Sequence, residues 1–481
     1  MSRECTFLVV GGGIAGVSCA ESLAICASNA SILLLTECSI VKSVTNLVPV
    51  ARYLHKFDVR EKNVSELGAG ITTIVDQLEH INSSEHWART KTGVVIKFRY
   101  VCLCTGGAPK LISSRQEQHA DRIIGIRDTD SVLELQRRLA SAKDVVILGN
   151  GGIASELAHE LHDVNVHWVI KDGHISATFV DPGAAEFFQL ANTETEGQVD
   201  AAATAIKRMR YGELLPRQEE KLQLQSKRGA ALGPDWHRNY DLSGGDGGGS
   251  PKLPKVYYKS HITQIEQSPN GSTLQVTLKH DDDSEQPEQI NCDFIVSATG
   301  VQPRHDFTTD VPLELAEDGG INVDEMMRTN LCDVYAAGDV CTAAWMPAQH
   351  WFQMRLWTQA RQMGSMAGRS MAALHDGETV YQDFCFELFG HVTQLFGFPV
   401  VLLGRFNGQG LGRDYELLVR CTRNKEYIKF VLQNGRLRGA ILIGDTDLAE
   451  TCENLILNGT DLEPYGDDIL NPDIDIEDYF D

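Results

Sequence analysis

Gly11, Gly13 and Gly16 recur in type and spacing at Gly149, Gly151 and Ala154, about 140 residues later. The pattern suits one task. Its first position permits a tight turn, its second lets the backbone approach a pyrophosphate, and its third lets a helix pack close to a sheet. In the first copy, Gly11-Gly12-Gly13-Ile14-Ala15-Gly16, a helix opening near Ile14 would turn its free N–H groups towards the phosphates. In the second, Gly149-Asn150-Gly151-Gly152-Ile153-Ala154, alanine in the third place still allows close packing. Two such fingerprints imply two dinucleotides. Chemistry that needs two dinucleotides in one chain is usually hydride transfer from a nicotinamide to a flavin.

The flanking residues supply the elements that must position these turns. Phe7-Leu8-Val9-Val10 is a short apolar run, as expected for a parallel strand buried on both faces. Ile32-Leu33-Leu34-Leu35 predicts the next strand, with an acid expected at its end to hold a ribose hydroxyl. Thr36 takes that place and Glu37 follows, so the role is assigned to Glu37. In the second copy Val145-Val146-Ile147-Leu148 predicts the strand, and Glu156 opens a helix running through Leu161. A further strand over 166–170 ends in Lys171-Asp172. An acid there favours the 2′-hydroxyl of NAD and a base the 2′-phosphate of NADP. With both side by side, the choice stays open.

Three more segments complete a pattern. Val101-Cys102-Leu103-Cys104-Thr105-Gly106-Gly107-Ala108-Pro109 runs from a strand into a Thr-Gly turn, and Phe294-Ile295-Val296-Ser297-Ala298-Thr299-Gly300 repeats this after the second fingerprint. Val334-Tyr335-Ala336-Ala337-Gly338-Asp339 is an apolar strand ending in Gly-Asp. In order and spacing these segments resemble those of the pyridine nucleotide-disulphide oxidoreductases, over most of residues 5–375. The resemblance implies FAD as cofactor and NAD(P)H as electron donor. It implies that Asp339 binds the ribityl or phosphate end of FAD, and that Thr105, Gly106, Gly300 and Gly338 border the cofactors. It puts the segment opening at Trp357 where a helix N-terminus faces the flavin carbonyls. It also makes Lys42 a candidate for a cation near the flavin, and Lys42 and Glu156 the candidates for a catalytic role. Gly152, Ile153 and Glu156 join the nicotinamide side; Ile14, Ala15 and Lys42 join the FAD side.

Sulfur marks a departure. Disulphide reductases of this superfamily carry a redox pair, yet none of the twelve cysteines here forms a CxxC or CxxxxC pair. Cys102 and Cys104 share one face of a strand, a spacing typically too wide and too parallel to bridge comfortably. Cys38 falls near the adenosine end and reads as a packing residue. His391, in Phe389-Gly390-His391-Val392-Thr393, has no dithiol to protonate and reads as structural. The electrons then have only external acceptors: oxygen, a quinone-like compound or a protein partner.

Composition bounds the remainder. A chain of 481 residues with a formal charge of −23 is long enough for two or three domains. Its acidic balance argues against direct nucleic-acid binding. No apolar run of 18 residues appears, so no membrane span is expected. No metal site is expected either. Met1-Ser2-Arg3-Glu4 leads straight into an expected core strand, so no cleavable presequence is expected. Scattered unpaired cysteines fit the cytoplasm or nucleus.

The predicted fold is α/β. It has two Rossmann-like, three-layer domains, the NAD(P) domain inserted in the FAD domain, plus a small α+β C-terminal domain. The FAD domain takes residues 1–115 and 305–375. The NAD(P) domain takes 116–304, with its own insertion at about 190–255. That insertion holds Lys207-Arg208-Met209-Arg210, read as a mixed-charge helical run, Leu232-Gly233-Pro234-Asp235-Trp236 and a glycine-rich loop over 243–250. The C-terminal domain takes 380–465. Strands are expected at 400–403, 416–419, 427–430 and 439–443, with a hairpin turn at Gln433-Asn434-Gly435-Arg436 and a helix at 448–457. Residues 466–481 form an acidic tail. Beyond Arg438 the chain has no Lys or Arg, and its end interleaves Ile474, Ile476, Tyr479 and Phe480 with Asp473, Asp475, Glu477, Asp478 and Asp481.

Several stretches are similar to one member of the family: Ile126-Arg127-Asp128-Thr129-Asp130-Ser131, Met354-Arg355-Leu356-Trp357-Thr358-Gln359-Ala360-Arg361-Gln362 and Ile474-Asp475-Ile476-Glu477-Asp478-Tyr479-Phe480-Asp481. That resemblance implies a partner, the catalytic subunit of the tRNA ligase complex, protected from oxidation by NAD(P)H-dependent binding. The tail over 473–481 is the candidate contact. Two function classes follow: a flavoenzyme that turns over with an external acceptor, including a general NAD(P)H oxidase or reductase of a small molecule, and a redox-gated binding protein.

Overall fold

A computed structural model describes residues 2–112, 121–193, 204–211, 253–268, 271–281 and 286–471. Trp236, the glycine-rich loop and the tail from residue 472 lie outside the described residues. The chain forms two compact units. One comprises Met1–Pro49, Tyr53–Ala108 and Val301–Leu388; the other comprises Val50–Arg52, Pro109–Gly300 and Phe389–Asp481.

The first unit is built on a sheet whose centre is Ser2–Val10, flanked in parallel by Ile32–Thr36 and Val95–Leu103. Ile71–Val75 extends one edge, and Val334–Ala336 pairs in parallel with Val95–Leu103. Phe7, Leu8 and Val9 are fully buried, as the unbroken apolar run requires of a strand covered on both faces. Two helices, Ile14–Cys26 and Trp357–Asp376, cross at very short range. A Cβ at Gly364 would lie 2.1 Å from the Ala15 carbonyl oxygen, and one at Gly368 would lie 2.6 Å from that of Cys19. Glycines four apart on one helix face therefore bring the two backbones together.

The second unit contains a five-stranded, all-parallel sheet in the order Ile123–Ile124, Phe294–Ser297, Asp144–Leu148, Asn165–Val169, Lys255–Tyr257. A three-stranded antiparallel sheet, Ser260–Gln267, Leu274–His280 and Glu288–Cys292, follows. A six-stranded antiparallel sheet forms the C-terminal part. Its order is Ala205–Tyr211, Tyr415–Thr422, Glu426–Gln433, Arg436–Ile443, Phe398–Gly404, Gly390–Leu395. The hairpin turn falls at Asn434 and Gly435, with φ of 53° and 68°, between the paired Gln433 and Arg436. Helix Ala449–Asn458 follows the last strand.

Two sequence expectations are corrected. Lys207, Arg208, Met209 and Arg210 are not helical. They lie in strand Ala205–Tyr211, antiparallel to Tyr415–Thr422 with Lys207 opposite Val419. Lys, Arg and Met favour helix locally, but a long-range ladder overrides that weak preference. Arg208 reinforces the pairing through Glu416 (2.9 Å) and Asp467 (2.7 Å). The helix expected to open at Glu156 instead begins at Gly152, directly on the fingerprint, and ends at Glu160.

Candidate dinucleotide sites

The first fingerprint turn leaves its strand at Gly11, whose φ of 123° only glycine adopts readily. Its N–H donates to the Leu35 carbonyl, and a Cβ would fall 2.1 Å from the Cys104 carbonyl oxygen. Gly16 is equally constrained, because a Cβ there would sit 1.9 Å from the Gly11 oxygen. Gly13 differs. It caps helix Ile14–Cys26 with extended backbone, no side chain caps the helix, and a Cβ on it would meet nothing within 4 Å. Helix geometry leaves the N–H groups of Ile14, Ala15 and Gly16 without intrahelical partners. Open space before uncapped donors at the positive end of a helix is what a pyrophosphate requires. The residues fit FAD on this test.

Around that turn, Thr36 is the last strand residue and is buried, with its hydroxyl donating to the Cys38 carbonyl at 3.1 Å. Glu37 is therefore the first residue past the strand. It receives a forked pair of bonds from Arg304, both 2.9 Å, and its carboxylate oxygens keep acceptor capacity for a ribose diol. Lys42 lies in strand Ile40–Pro49, and its backbone N–H donates to the Gly12 carbonyl at 2.9 Å. Thr105 and Gly106 form a turn fastened to Arg304: the Thr105 hydroxyl reaches the Arg304 carbonyl at 2.5 Å, and the Gly106 carbonyl accepts the Arg304 N–H at 2.9 Å. Gly338, at φ 81°, brings its Cβ position within 2.7 Å of the Ala15 methyl, so the Gly338-Asp339 turn abuts the first fingerprint helix. Trp357 is the first residue of its helix and is buried.

Arg355, 6% exposed, belongs to this site although motif spacing does not single it out. Its Nε donates to the Asp339 carbonyl at 2.9 Å, and one Nη donates to Asp318 and Thr342. Burial raises the Asp318 carboxyl, but the Arg355 charge and three hydrogen bonds outweigh it and hold the group below the usual range. The guanidinium thus pins the turn that carries Asp339.

The second fingerprint repeats the geometry. Gly149 has φ 128°, and its Cβ would fall 2.2 Å from the Ala298 carbonyl oxygen. Gly151 caps helix Gly152–Glu160 with extended backbone and no side-chain cap, and its nearest Cβ neighbour would be the Thr178 hydroxyl at 3.9 Å. Ile153, Ala154 and Glu156 are buried in this helix. Gly300, at φ 97°, accepts the Lys110 N–H at 2.9 Å, matching the Thr-Gly turn of the other unit. Asn150 carries no sequence signal beyond its polarity between two glycines. Its Nδ2 donates to Asp172 and to the His174 carbonyl, both 2.9 Å, while its Oδ1 accepts the Ser176 N–H at 2.6 Å. This side chain ties the segment after strand Asn165–Val169 to the turn and fixes Asp172 beside it.

The cysteines are all free thiols. Cys38 is exposed and His391 fully buried, its imidazole pushed down to about 3 by burial. Cys102 and Cys104 stand closer than strand spacing suggests, with sulfurs 3.5 Å apart. Cys104 lies just past strand Val95–Leu103, where the backbone turns towards Thr105-Gly106, and Cys19 packs on both. The contact is between thiols, well beyond a sulfur–sulfur bond. Burial holds Cys19 and Cys102 well above the usual thiol value, while hydrogen bonds from Cys102 and Cys19 make Cys104 the most acidic of the three. None is more than 4% exposed. Serine at both Cys102 and Cys104 is expected to leave NAD(P)H-driven flavin reduction nearly unchanged in stopped-flow measurements. A large drop in rate with FAD content intact would mark the pair as a redox centre.

The pyridine nucleotide-disulphide oxidoreductase family matches residues 6–208 and 255–364, and the rubredoxin NAD+ reductase C-terminal domain matches residues 394–460. Pyridine nucleotide-disulfide oxidoreductase domain-containing protein 1 of Drosophila melanogaster is 72% identical over 481 residues, covering 100% of both chains. The protein of that name from Homo sapiens is 44% identical over 495 residues, covering 99% of this chain and 98% of its own. NADH:rubredoxin oxidoreductase from Clostridium acetobutylicum shares the fold at TM-score 0.59 and 17% identity, over 98% of this chain and 100% of that one. The water-forming NADH oxidase from Lactobacillus brevis does so at TM-score 0.63 and 13% identity, over 95% and 91%.

Proposed function

The chain belongs to the pyridine nucleotide-disulphide oxidoreductase family, and from that premise we propose that it is an FAD-dependent NAD(P)H oxidoreductase without a dithiol, slow in turnover and suited to redox-gated partner binding. The observation that carries the proposal is the pair of open glycine cradles, each facing uncapped helix N–H groups. FAD, when bound, supplies the hydride acceptor. The chain's residues do the rest. Gly13 and helix Ile14–Cys26 receive the FAD pyrophosphate, Glu37 its adenosine ribose, and Asp339, held by Arg355, the ribityl end. Lys42 is the candidate cation for the pyrimidine edge. Gly151 and helix Gly152–Glu160 receive the nicotinamide dinucleotide. Asp172, fixed by Asn150, supports a preference for NADH, because a carboxylate beside the ribose repels a 2′-phosphate.

The finer reading concerns the destination of the electrons. No cysteines stand at CxxC or CxxxxC spacing, and the close pair Cys102 and Cys104 is buried as free thiols, which favours a long-lived reduced state over rapid turnover. The family resemblance supports the catalytic subunit of the tRNA ligase complex as the partner, in cytoplasm and nucleus. Steady-state NADH oxidation compared with NADH-dependent capture of that subunit tests this reading. Slow oxidation with NADH-dependent capture is expected. Fast oxidation without capture would favour a general NAD(P)H oxidase or reductase of a small acceptor.

Deleting residues 473–481 is expected to weaken capture while sparing FAD content and flavin reduction. Removing one desolvated, charge-assisted hydrogen bond costs roughly 1.5–3 kcal/mol, and added salt should weaken the complex in the same direction. Undiminished capture by the shortened chain, measured by titration, would remove the tail from the interface.

A further inference from the structure

Lys429 stands in strand Glu426–Gln433 of the C-terminal sheet and is 1% exposed. An ammonium group so placed is unfavourable unless fully paired. Its Nζ donates to the Asp181 carboxylate and, at 2.7 Å, to Asn407 Oδ1. Asp181 also accepts the Tyr427 hydroxyl at 3.1 Å and the Ala184 N–H at 3.0 Å, which caps helix Pro182–Thr193. Burial opposes ionisation of Asp181, but Lys429 and these bonds prevail and keep it charged. None of these bonds ends on the fingerprint turn, so their effect on it is transmitted through a neighbouring segment.

The transmitting residues are 178–181. Asn407 Nδ2 donates to the Phe179 carbonyl at 3.3 Å. Lys429 thus fastens both ends of Phe179-Val180-Asp181, one through Asn407 and one through Asp181. The Phe179 ring is buried against Gly152, where a Cβ would lie 3.3 Å from its Cε2, and it stacks on His391 with ring centres 6.0 Å apart. Thr178 donates its hydroxyl to the Asn150 carbonyl at 3.1 Å. The same segment is therefore held by the fingerprint on one side and by the C-terminal sheet on the other. Hydrophobic residues of similar volume often replace such a pair without loss of stability, so its bonds to residues 179 and 181 point to position rather than to stability.

We propose that Lys429 is a positioning residue for the nicotinamide dinucleotide: by fixing Asp181 and Asn407 it sets Thr178 and Phe179 against the second fingerprint. The C-terminal sheet thereby governs NAD(P)H affinity without touching the ligand. The inference rests on the reading of the second fingerprint as the NAD(P)H site.

The test uses the full chain loaded with FAD. The double variant Asp181→Asn with Lys429→Met removes both charges and leaves neither uncompensated. NAD+ binding by calorimetry and half-saturating NADH in anaerobic flavin reduction should each weaken about tenfold or more, while FAD content and the limiting reduction rate stay within about twofold. A control double variant, Arg420→Met with Glu426→Gln, removes another buried pair of the same sheet, joined at 3.0 Å. It should leave both affinities unchanged. Should the first variant fail to fold, Asn407→Ala, which keeps the ion pair but frees the Phe179 carbonyl, should show the same weakening. Wild-type affinity in the folded variants, or equal weakening in the control, would overturn the proposal. A wild-type protein that binds no NAD+ and is not reduced by NADH would instead overturn the underlying reading of the fingerprint.

Discussion

Gly13→Trp is expected to yield a folded protein that binds no FAD. The backbone at Gly13, φ −77° and ψ −177°, is one any residue adopts, and a Cβ there meets no protein atom within 4 Å. The backbone and the Cβ of the new residue are therefore accommodated without strain. The indole instead fills the space before the N–H groups of Ile14, Ala15 and Gly16, where a pyrophosphate would lie. Gly11 and Gly16 would be poor choices for this test. Their Cβ positions fall 2.1 and 1.9 Å from carbonyl oxygens, so a side chain there would break the turn itself. FAD content should drop from about one per chain to under a tenth, with each tenfold loss in affinity equal to about 1.4 kcal/mol. Absorbance of the purified protein near the flavin band, read beside circular dichroism, checks this. A folded variant as yellow as the wild type would contradict the assignment of the first fingerprint.

Gly151→Trp is expected to have the complementary outcome: FAD should stay and NADH should no longer bleach it. Gly151 is also in ordinary extended backbone, φ −97° and ψ −173°, and its nearest Cβ neighbour is 3.9 Å away. The second fingerprint lies in a different compact unit from the first, so filling it leaves the FAD cradle intact. Anaerobic reduction at an NADH concentration that saturates the wild type should fall by about two orders of magnitude or more, as expected when a ligand's phosphate position is occupied by a bulky ring. Normal reduction in this variant would contradict the separation into two sites.

The repeated fingerprints are readable in the sequence because their constraints are local. A glycine at φ above 100° and a helix N-terminus after an apolar strand leave their mark on adjacent residues, as Gly11 and Gly149 show. The C-terminal strands are readable for the same reason, through short apolar runs and the Asn434-Gly435 turn. The features that escape a sequence reading depend on residues far apart in the chain. Strand Ala205–Tyr211 exists because Tyr415–Thr422 offers it a ladder some 200 residues away. Arg355 matters through Asp318 and Asp339, and Lys429 through Asp181, 248 residues distant. The near approach of Cys102 and Cys104 arises where a strand ends and turns, and a spacing of two cannot convey it. In each case the residue type is visible and the partner is not.

The proposed reaction passes hydride from the nicotinamide dinucleotide to FAD. Anaerobic titration of the purified wild-type protein with NADH, followed through the flavin absorbance, reads that transfer without any variant or partner. The expected result is a yellow protein with about one FAD per chain, bleached by about one equivalent of NADH, since one hydride carries the two electrons a flavin accepts. A colourless protein, or a flavin that stays oxidised under excess NADH and NADPH, would contradict the two-dinucleotide reading.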